Sequence, residues 1–179
     1  VHQSLEHLVR SLSKLPGVGK RSAERMALRI VTDKDLAHNL SSSITNASSM
    51  ICQCSRCGYI TDKDNNPCHY CLSPRRDNSI LCVVESSLDL DLIEESGSFS
   101  GRYFCLLGKI SPISGDQPLD ARVKKLTRLI QTEGVKEVLL ALNSDIESDA
   151  SASFLVEVLS KLDIKVSRLA FGIPAGSGL

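Results

Sequence analysis

ILCVVE (Ile80–Glu85), LDLDLIEES (Leu88–Ser96), GRYFCLLG (Gly101–Gly108), ARVKKLTRLIQTEG (Ala121–Gly134), KEVLLALN (Lys136–Asn143), SASFLVEVLSKLD (Ser151–Asp163) and VSRLAFGI (Val166–Ile173) follow one another along the chain. The first, third, fifth and last are short apolar runs that read as buried strands, and those between carry apolar residues at helical spacing. The second helix closes at Gly134, a residue suited to a helix C-terminus. Strands alternating with helices predict an α/β fold with a mostly parallel sheet covered on both faces. In such a sheet, function collects at the carboxyl ends of the strands. Glu85 ends the first strand there, and Asn143, Asp145, Glu147 and Asp149 follow the third.

One acid after one strand and several after another is how an open sheet holds magnesium for phosphoryl transfer. No tyrosine sits in a recognisable nucleophile setting. An enzymatic reading, a magnesium-dependent nuclease or primase-like protein, stays open as the alternative.

Upstream lie two CxxC knuckles, Cys54 and Cys57, then Cys68 and Cys71, ten residues apart. Each knuckle places two thiolates on one metal, so the pair predicts a closed, structural, tetrahedral zinc site in a segment spanning 52–76. The inner loop GYITDKDNNP is polar, which predicts that the metal supplies most of that segment's folding energy. A pair of disulfides is the competing reading. Cys82 and Cys105 lie in apolar runs and are expected in the core, with Cys52 beside them. His38 and His69 are expected to point away from the metal. Pro74, Arg75 and Arg76 read as a short basic connector to a third region, 77–179.

The first 51 residues read as helical. LVRSLSKLPGVGKRSAERMALRIV (Leu8–Val31) breaks at Pro16-Gly17-Val18-Gly19, with Leu5, Leu8, Leu12 and Leu15 at helical spacing before it and Ala23, Met26, Ala27, Ile30 and Val31 after it. Two glycines let a phosphate approach the amides at the second helix's N-terminus. Lys14, Gly17, Gly19, Lys20, Arg21 and Arg25 are therefore the candidate nucleic-acid contacts, reading a sugar-phosphate backbone without regard to bases. DLAHNLSSSITNASSMI (Asp35–Ile51) predicts a further amphipathic, serine-rich helix.

The 179 residues carry no net formal charge, yet the charges are segregated. Between Arg10 and Arg29 six cations face Glu24 alone, while Glu85, Asp89, Asp91, Glu94 and Glu95 stand without a cation between them. The first segment suits a polyanion and the second a metal or a cationic partner. No stretch is apolar enough to span a membrane and no secretory signal opens the chain, so a cytoplasmic location is expected. Seven cysteines in such a reducing compartment favour metal ligands and core thiols over disulfides.

The Leu8–Val31 segment resembles the helix-hairpin-helix motif of DNA repair proteins. The strand-rich half resembles the Toprim domain of topoisomerases and primases, with Glu85 matching its first glutamate and Asn143-Ser144-Asp145 replacing its Asp-x-Asp pair. Taken in order with the cysteine quartet, and with LPGVGKRSAERMA, LCVVES, SGRYF, LGKISPISG and GIPAG, the chain resembles the bacterial RecR recombination-mediator family over essentially its whole length. That resemblance implies a non-enzymatic DNA-binding protein that acts with RecO, and in some settings RecF, to load RecA onto single-stranded DNA. It also implies ring-like homo-oligomers, dimeric or tetrameric, able to surround duplex DNA. Arg21 and Arg25 match its DNA-contacting cations, and the acids at Glu85, Asp145 and Glu147 would serve a partner or a weak magnesium site. Lys20 stands where relatives often have proline, and Ser148 where they have glycine. The family usually continues beyond the position of Leu179 with an acidic segment and a further strand, so a chain truly ending there would lack part of the self-association surface.

Overall fold

A computed structural model describes the backbone of residues 2–109 and 117–170, and the side chains of 2–109 and 121–170. The chain forms two compact units, Val1–Met50 and Ile51–Leu179. The motifs LGKISPISG, in part, and GIPAG lie outside the described residues.

In the first unit, α1 (Gln3–Leu12) and α2 (Lys20–Thr32) pack against each other. Ala23 and Ala27 of α2 are the residues that become fully buried; their small side chains let the neighbouring helix come close. α1 stops at Leu12, so Leu15, expected at its end, lies in the turn and is exposed. Asp33 accepts the Leu36 amide at 3.0 Å and so caps α3 (Lys34–Met50). α3 buries none of its residues. Ser41, Thr45, Ser48 and Ser49 bond back to carbonyls three or four residues earlier, as Ser41 does to His38 at 2.9 Å and Thr45 to Ser41 at 2.9 Å. Those bonds keep the hydroxyls from competing with the helix for other partners.

The second unit begins with an antiparallel pair, β1 (Ile51–Gln53) and β2 (Ile60–Asp62), in which Cys52 faces Thr61. A single 3₁₀ turn (Lys63–Asn65) and the short α4 (His69–Leu72) complete the cysteine-rich module. Then come β3 (Asp77–Val84), α5 (Ser87–Glu95), β4 (Gly101–Cys105), α6 (Gln117–Glu133), β5 (Glu137–Ala141), α7 (Ile146–Leu159) and β6 (Lys165–Arg168). The four strands are parallel in the order β4-β3-β5-β6, the predicted α/β sheet. α7 starts at Ile146, five residues before the sequence pattern suggests, because Asp145 caps it. The strand expected over Val166–Ile173 is β6, and 171–173 of that run fall outside the described residues.

Strand alternation divides the core in two. Leu81, Val83, Phe104, Leu106, Val138 and Leu140 face α6 and α7, where Leu126, Ile130 and Leu155 meet them. Each such leucine contributes about 1.5–3 kcal/mol by leaving water. Cys82, Val84, Tyr103, Cys105 and Ala141 face the other way, toward Leu90 of α5 and toward Tyr59 and Tyr70 of the cysteine module. The module therefore leans on the sheet through Tyr59 and Tyr70, a packing contribution that its polar loop did not announce. Cys82 and Cys105 are fully buried as expected, whereas Cys52 is half-buried and outside the core.

Candidate functional site

The turn between α1 and α2 is held by the Val18 amide donating to the Leu15 carbonyl at 3.1 Å. Gly17 adopts φ +76°, a conformation that favours glycine. Gly19 has an ordinary φ of −75°, and a Cβ there would stand in open space in front of the helix end. Ala23 is the first α2 residue whose amide reaches back to Gly19, at 3.0 Å. The amides of 20–22 lead the helix with no side-chain cap. Around them Lys14, Lys20, Arg21 and Arg25 are all exposed, and among the described residues none of the four makes an ion pair. The flanking Arg10 and Arg29 do, with Glu6 at 3.8 Å and Asp33 at 3.2 Å. The hairpin thus concentrates unpaired cations and open amides at one turn, a surface suited to phosphates.

In the second unit, all four sulfurs of Cys54, Cys57, Cys68 and Cys71 lie within 4.8 Å of one another. Cys54 and Cys71 sulfurs are 3.8 Å apart, and those of Cys57 and Cys68 3.6 Å. A regular tetrahedron of thiolates with metal–sulfur bonds of about 2.3 Å has edges of about 3.8 Å, so the quartet fits one such ion. Amides of Tyr59 and Cys68 donate to the Cys57 and Cys54 sulfurs at 3.4 and 3.3 Å, as thiolate ligands require. Hydrogen bonds from Cys57 and Cys68, with the Arg56 guanidinium, hold the Cys71 thiol down to about 2. The four cysteines can hold a metal such as zinc. His69 is exposed and lies against the Tyr70 ring, and His38 is exposed on α3.

The acidic stretch after β3 serves the fold. Asp89 completes a capping box with Ser86. Asp91 accepts the hydroxyls of Tyr59 and Tyr70 at 2.9 and 3.4 Å. Glu94 takes Arg76 at 2.5 Å and the Tyr103 hydroxyl. Arg76, read as part of a basic connector, is half-buried in that pair and lies 5.0 Å over Tyr70 and 5.2 Å over Tyr103. Of the five acids, Glu95 alone stays exposed without a partner among the described residues.

At the carboxyl end of the sheet the strand order reverses between β3 and β5, the place where open α/β sheets bind ligands. Glu85 is 5 % exposed, and both its oxygens accept from Asn143, Oε1 from the amide at 3.1 Å and Oε2 from Nδ2 at 2.8 Å. The turn after β4 ties to it through the Leu107 amide, 2.9 Å from the Glu85 carbonyl. Leu107 is held at φ +65°, a strained conformation for leucine. That turn presents Lys109, whose ammonium bridges Asp145 at 2.9 Å and Glu147 at 3.3 Å. Asp145 also accepts the amides of Glu147 and Ser148 and the Ser148 hydroxyl at 3.0–3.1 Å. Lys109, then the Ser148 amide, hold the Asp145 carboxyl down to about 2. Lone pairs that a hard divalent cation would need are taken by an amide and an ammonium. Among the described residues, no carboxylate group converges as the cysteines do.

Sequence reasoning located Glu85, Asn143, Asp145 and Glu147 but missed Lys109. The signal was present, since Lys109 follows the carboxyl end of a strand, the very rule that selected the acids. Arg56, Arg102, Arg122 and Lys125, which grip the cysteine module, had no signal, because their partners lie 15 to 77 residues away.

Residues 5–48 match the family described as RecR, helix-hairpin-helix, and residues 79–170 match the Toprim domain family. "Recombination protein RecR" of Hahella chejuensis is 43 % identical over 98 % of this chain and 87 % of the relative. The proteins of the same name from Desulfatibacillum aliphaticivorans and Syntrophobacter fumaroxidans are each 40 % identical over 98 % of this chain, covering 88 % and 87 % of their own lengths. No helix among the described residues is long and apolar enough to cross a membrane. Hairpin, cysteine quartet and altered acidic sheet end, joined to this near-full-length similarity, place the chain in the RecR family of recombination proteins.

Proposed function

We propose that the chain is a cytoplasmic DNA-repair mediator that binds duplex and single-stranded DNA through its hairpin and acts with RecO, and in some settings RecF, in loading RecA. The carrying observation is the set of exposed, unpaired Lys14, Lys20, Arg21 and Arg25 around the open amides of α2, with Gly17 and Gly19 clearing the approach. Contacts of that kind are to phosphates, so binding is indifferent to base sequence and weakens with salt. The cysteine quartet holds one structural zinc. The sheet end, with Glu85 satisfied by Asn143 and Asp145 by Lys109, serves a protein partner in place of magnesium chemistry, and the protein is not an enzyme. Exposed Met26, Leu36, Leu40 and Ile44 in the first unit support self-association into a dimer or a tetrameric ring.

Titration of duplex and single-stranded oligonucleotides against wild type and Arg21→Glu/Arg25→Glu tests this reading. Equal weakening across unrelated sequences is expected, and a base-selective loss or unchanged affinity overturns it. Metal-stimulated cleavage abolished by Glu85→Gln would favour the enzymatic alternative. Solution mass with and without DNA reads the assembly.

A further inference from the structure

Backbone amides serve the Cys54 and Cys57 sulfurs, from Cys68 at 3.3 Å and from Tyr59 at 3.4 Å. At Cys71 a side chain does so. Arg56 belongs to the first knuckle and reaches across to the second, its Nη1 lying 3.5 Å from the Cys71 Sγ. A guanidinium has donors and no acceptor, so the sulfur is the accepting atom. The other edge of the same guanidinium is gripped by Glu133 at the end of α6: Nε lies 2.8 and 3.1 Å from the two carboxylate oxygens, and Nη2 donates to Oε2. Only 17 % of the Arg56 side chain and 34 % of the Glu133 side chain reach solvent, and a two-pronged pair of this kind fixes the plane of the guanidinium. α6 addresses this knuckle residue by residue. Lys125 donates to the Ser55 carbonyl, Glu133 accepts from Arg56, and Arg122 donates to the Cys57 carbonyl at 3.0 Å. At about 100° per residue, positions 122, 125 and 133 fall within about 80° of one another around the helix, so one helix face holds three consecutive knuckle residues. A carboxylate that fixes the group touching a metal ligand is the means by which outer residues orient and tune a centre, as behind a ligating histidine.

We propose that Arg56 and Glu133 are the outer support of the cysteine centre: Arg56 donates to the Cys71 ligand sulfur, and Glu133 is the positioning residue that holds the guanidinium on it. The donated hydrogen bond draws charge from one of four crowded thiolates and occupies a lone pair that a competing ion or chelator would use. The rate at which metal leaves is therefore set in part from α6, 77 residues along the chain from Arg56. This inference rests on the quartet holding a divalent metal and is independent of the DNA reading.

Metal content per chain is measured first, and its absence from protein purified without chelator overturns both the metal reading and this inference while leaving the hairpin reading intact. With metal present, its release to a chromogenic chelator is timed in wild type, Arg56→Met, Glu133→Ala and the double variant. Arg56→Met should speed release by about 10–100-fold and Glu133→Ala by up to about tenfold. The double variant should be no faster than Arg56→Met alone, because Glu133 acts through Arg56. Release from Arg56→Met at the wild-type rate, or effects that multiply in the double variant, overturns the proposal while the metal reading stands. Loading the same proteins with cobalt(II) gives a signature that a mere loosening of the fold would not produce. A thiolate that loses a hydrogen bond gives up its electrons more easily, so the sulfur-to-cobalt charge-transfer band should move to longer wavelength in Arg56→Met and, to a smaller extent, in Glu133→Ala. A band that stays at the wild-type position in both overturns the proposal. Should Arg56→Met fail to fold, Glu133→Ala decides alone: faster release with the shifted band upholds the proposal, and wild-type values in either overturn it.

Discussion

The arginines of the hairpin and those around the cysteine module are the same residue in opposite circumstances. Arg21 and Arg25 stand exposed and, among the described residues, form no ion pair. Arg56, Arg76 and Arg122 are enclosed, gripping Glu133, Glu94 and backbone carbonyls. A guanidinium whose donors are used internally holds structure, whereas one left in water beside open amides is available to an external anion. Charge counting cannot make this distinction, because it adds both kinds together. The acidic stretch teaches the same lesson in reverse, since most of its carboxylates are consumed by the fold.

The comparison predicts that damage to enclosed groups reads out as stability and damage to exposed ones as binding. The largest effect belongs to the metal. Cys54→Ser or chelation should remove a contribution of the order that zinc gives small peptides, about 10–16 kcal/mol, reduced here by the module's packing on the sheet. Loss of the module's near-ultraviolet tyrosine signal, with the DNA-binding unit still helical, is the expected result. Next comes Arg76→Ala, which takes the guanidinium away from the half-buried Glu94; about 1.5–3 kcal/mol of stability should be lost in chemical denaturation, with DNA affinity unchanged.

Arg21→Gln and Arg25→Gln should do the converse. Each should lower the slope of log affinity against log salt by about 0.9 on duplex, at constant melting temperature. Gly17→Ala forces a Cβ into the left-handed region and should cost about 1–2 kcal/mol, while weakening binding through the altered turn. The smallest effect concerns Asp145. Its folded carboxyl titrates at about 2, below the ordinary carboxylate value of about 3.9. The contribution is therefore complete above that ordinary value and is lost as pH falls toward 2. Because the group is exposed and screened, the effect should emerge only as a small difference in melting temperature between wild type and Asp145→Asn that shrinks with acidification. Lys109→Ala should flatten that difference.

Much of the architecture was legible before any coordinates. The strand and helix runs, the glycine-marked turn and the cysteine pairs each depend on neighbours within a few residues, and each was found where its spacing put it. Element ends were less well read: α1 stops short of Leu15 because Pro16 cannot continue it, and α7 begins early because Asp145 supplies a cap that pattern matching passed over. The sheet-end residues were identified, but not their internal neutralisation by Asn143 and Lys109, which needs β3, β4 and β5 brought side by side.

What the linear order of residues specifies here is therefore everything written in short-range chemistry: periodicity, turn-forming glycines, and four sulfurs at metal-binding intervals. Which charges face water and which lie inside had to await the packing of the cysteine module on the sheet. Burial is a collective property of distant segments, and desolvation converts Arg122 and Glu94 into structural groups while leaving Arg21 and Arg25 in solvent, able to meet a phosphate.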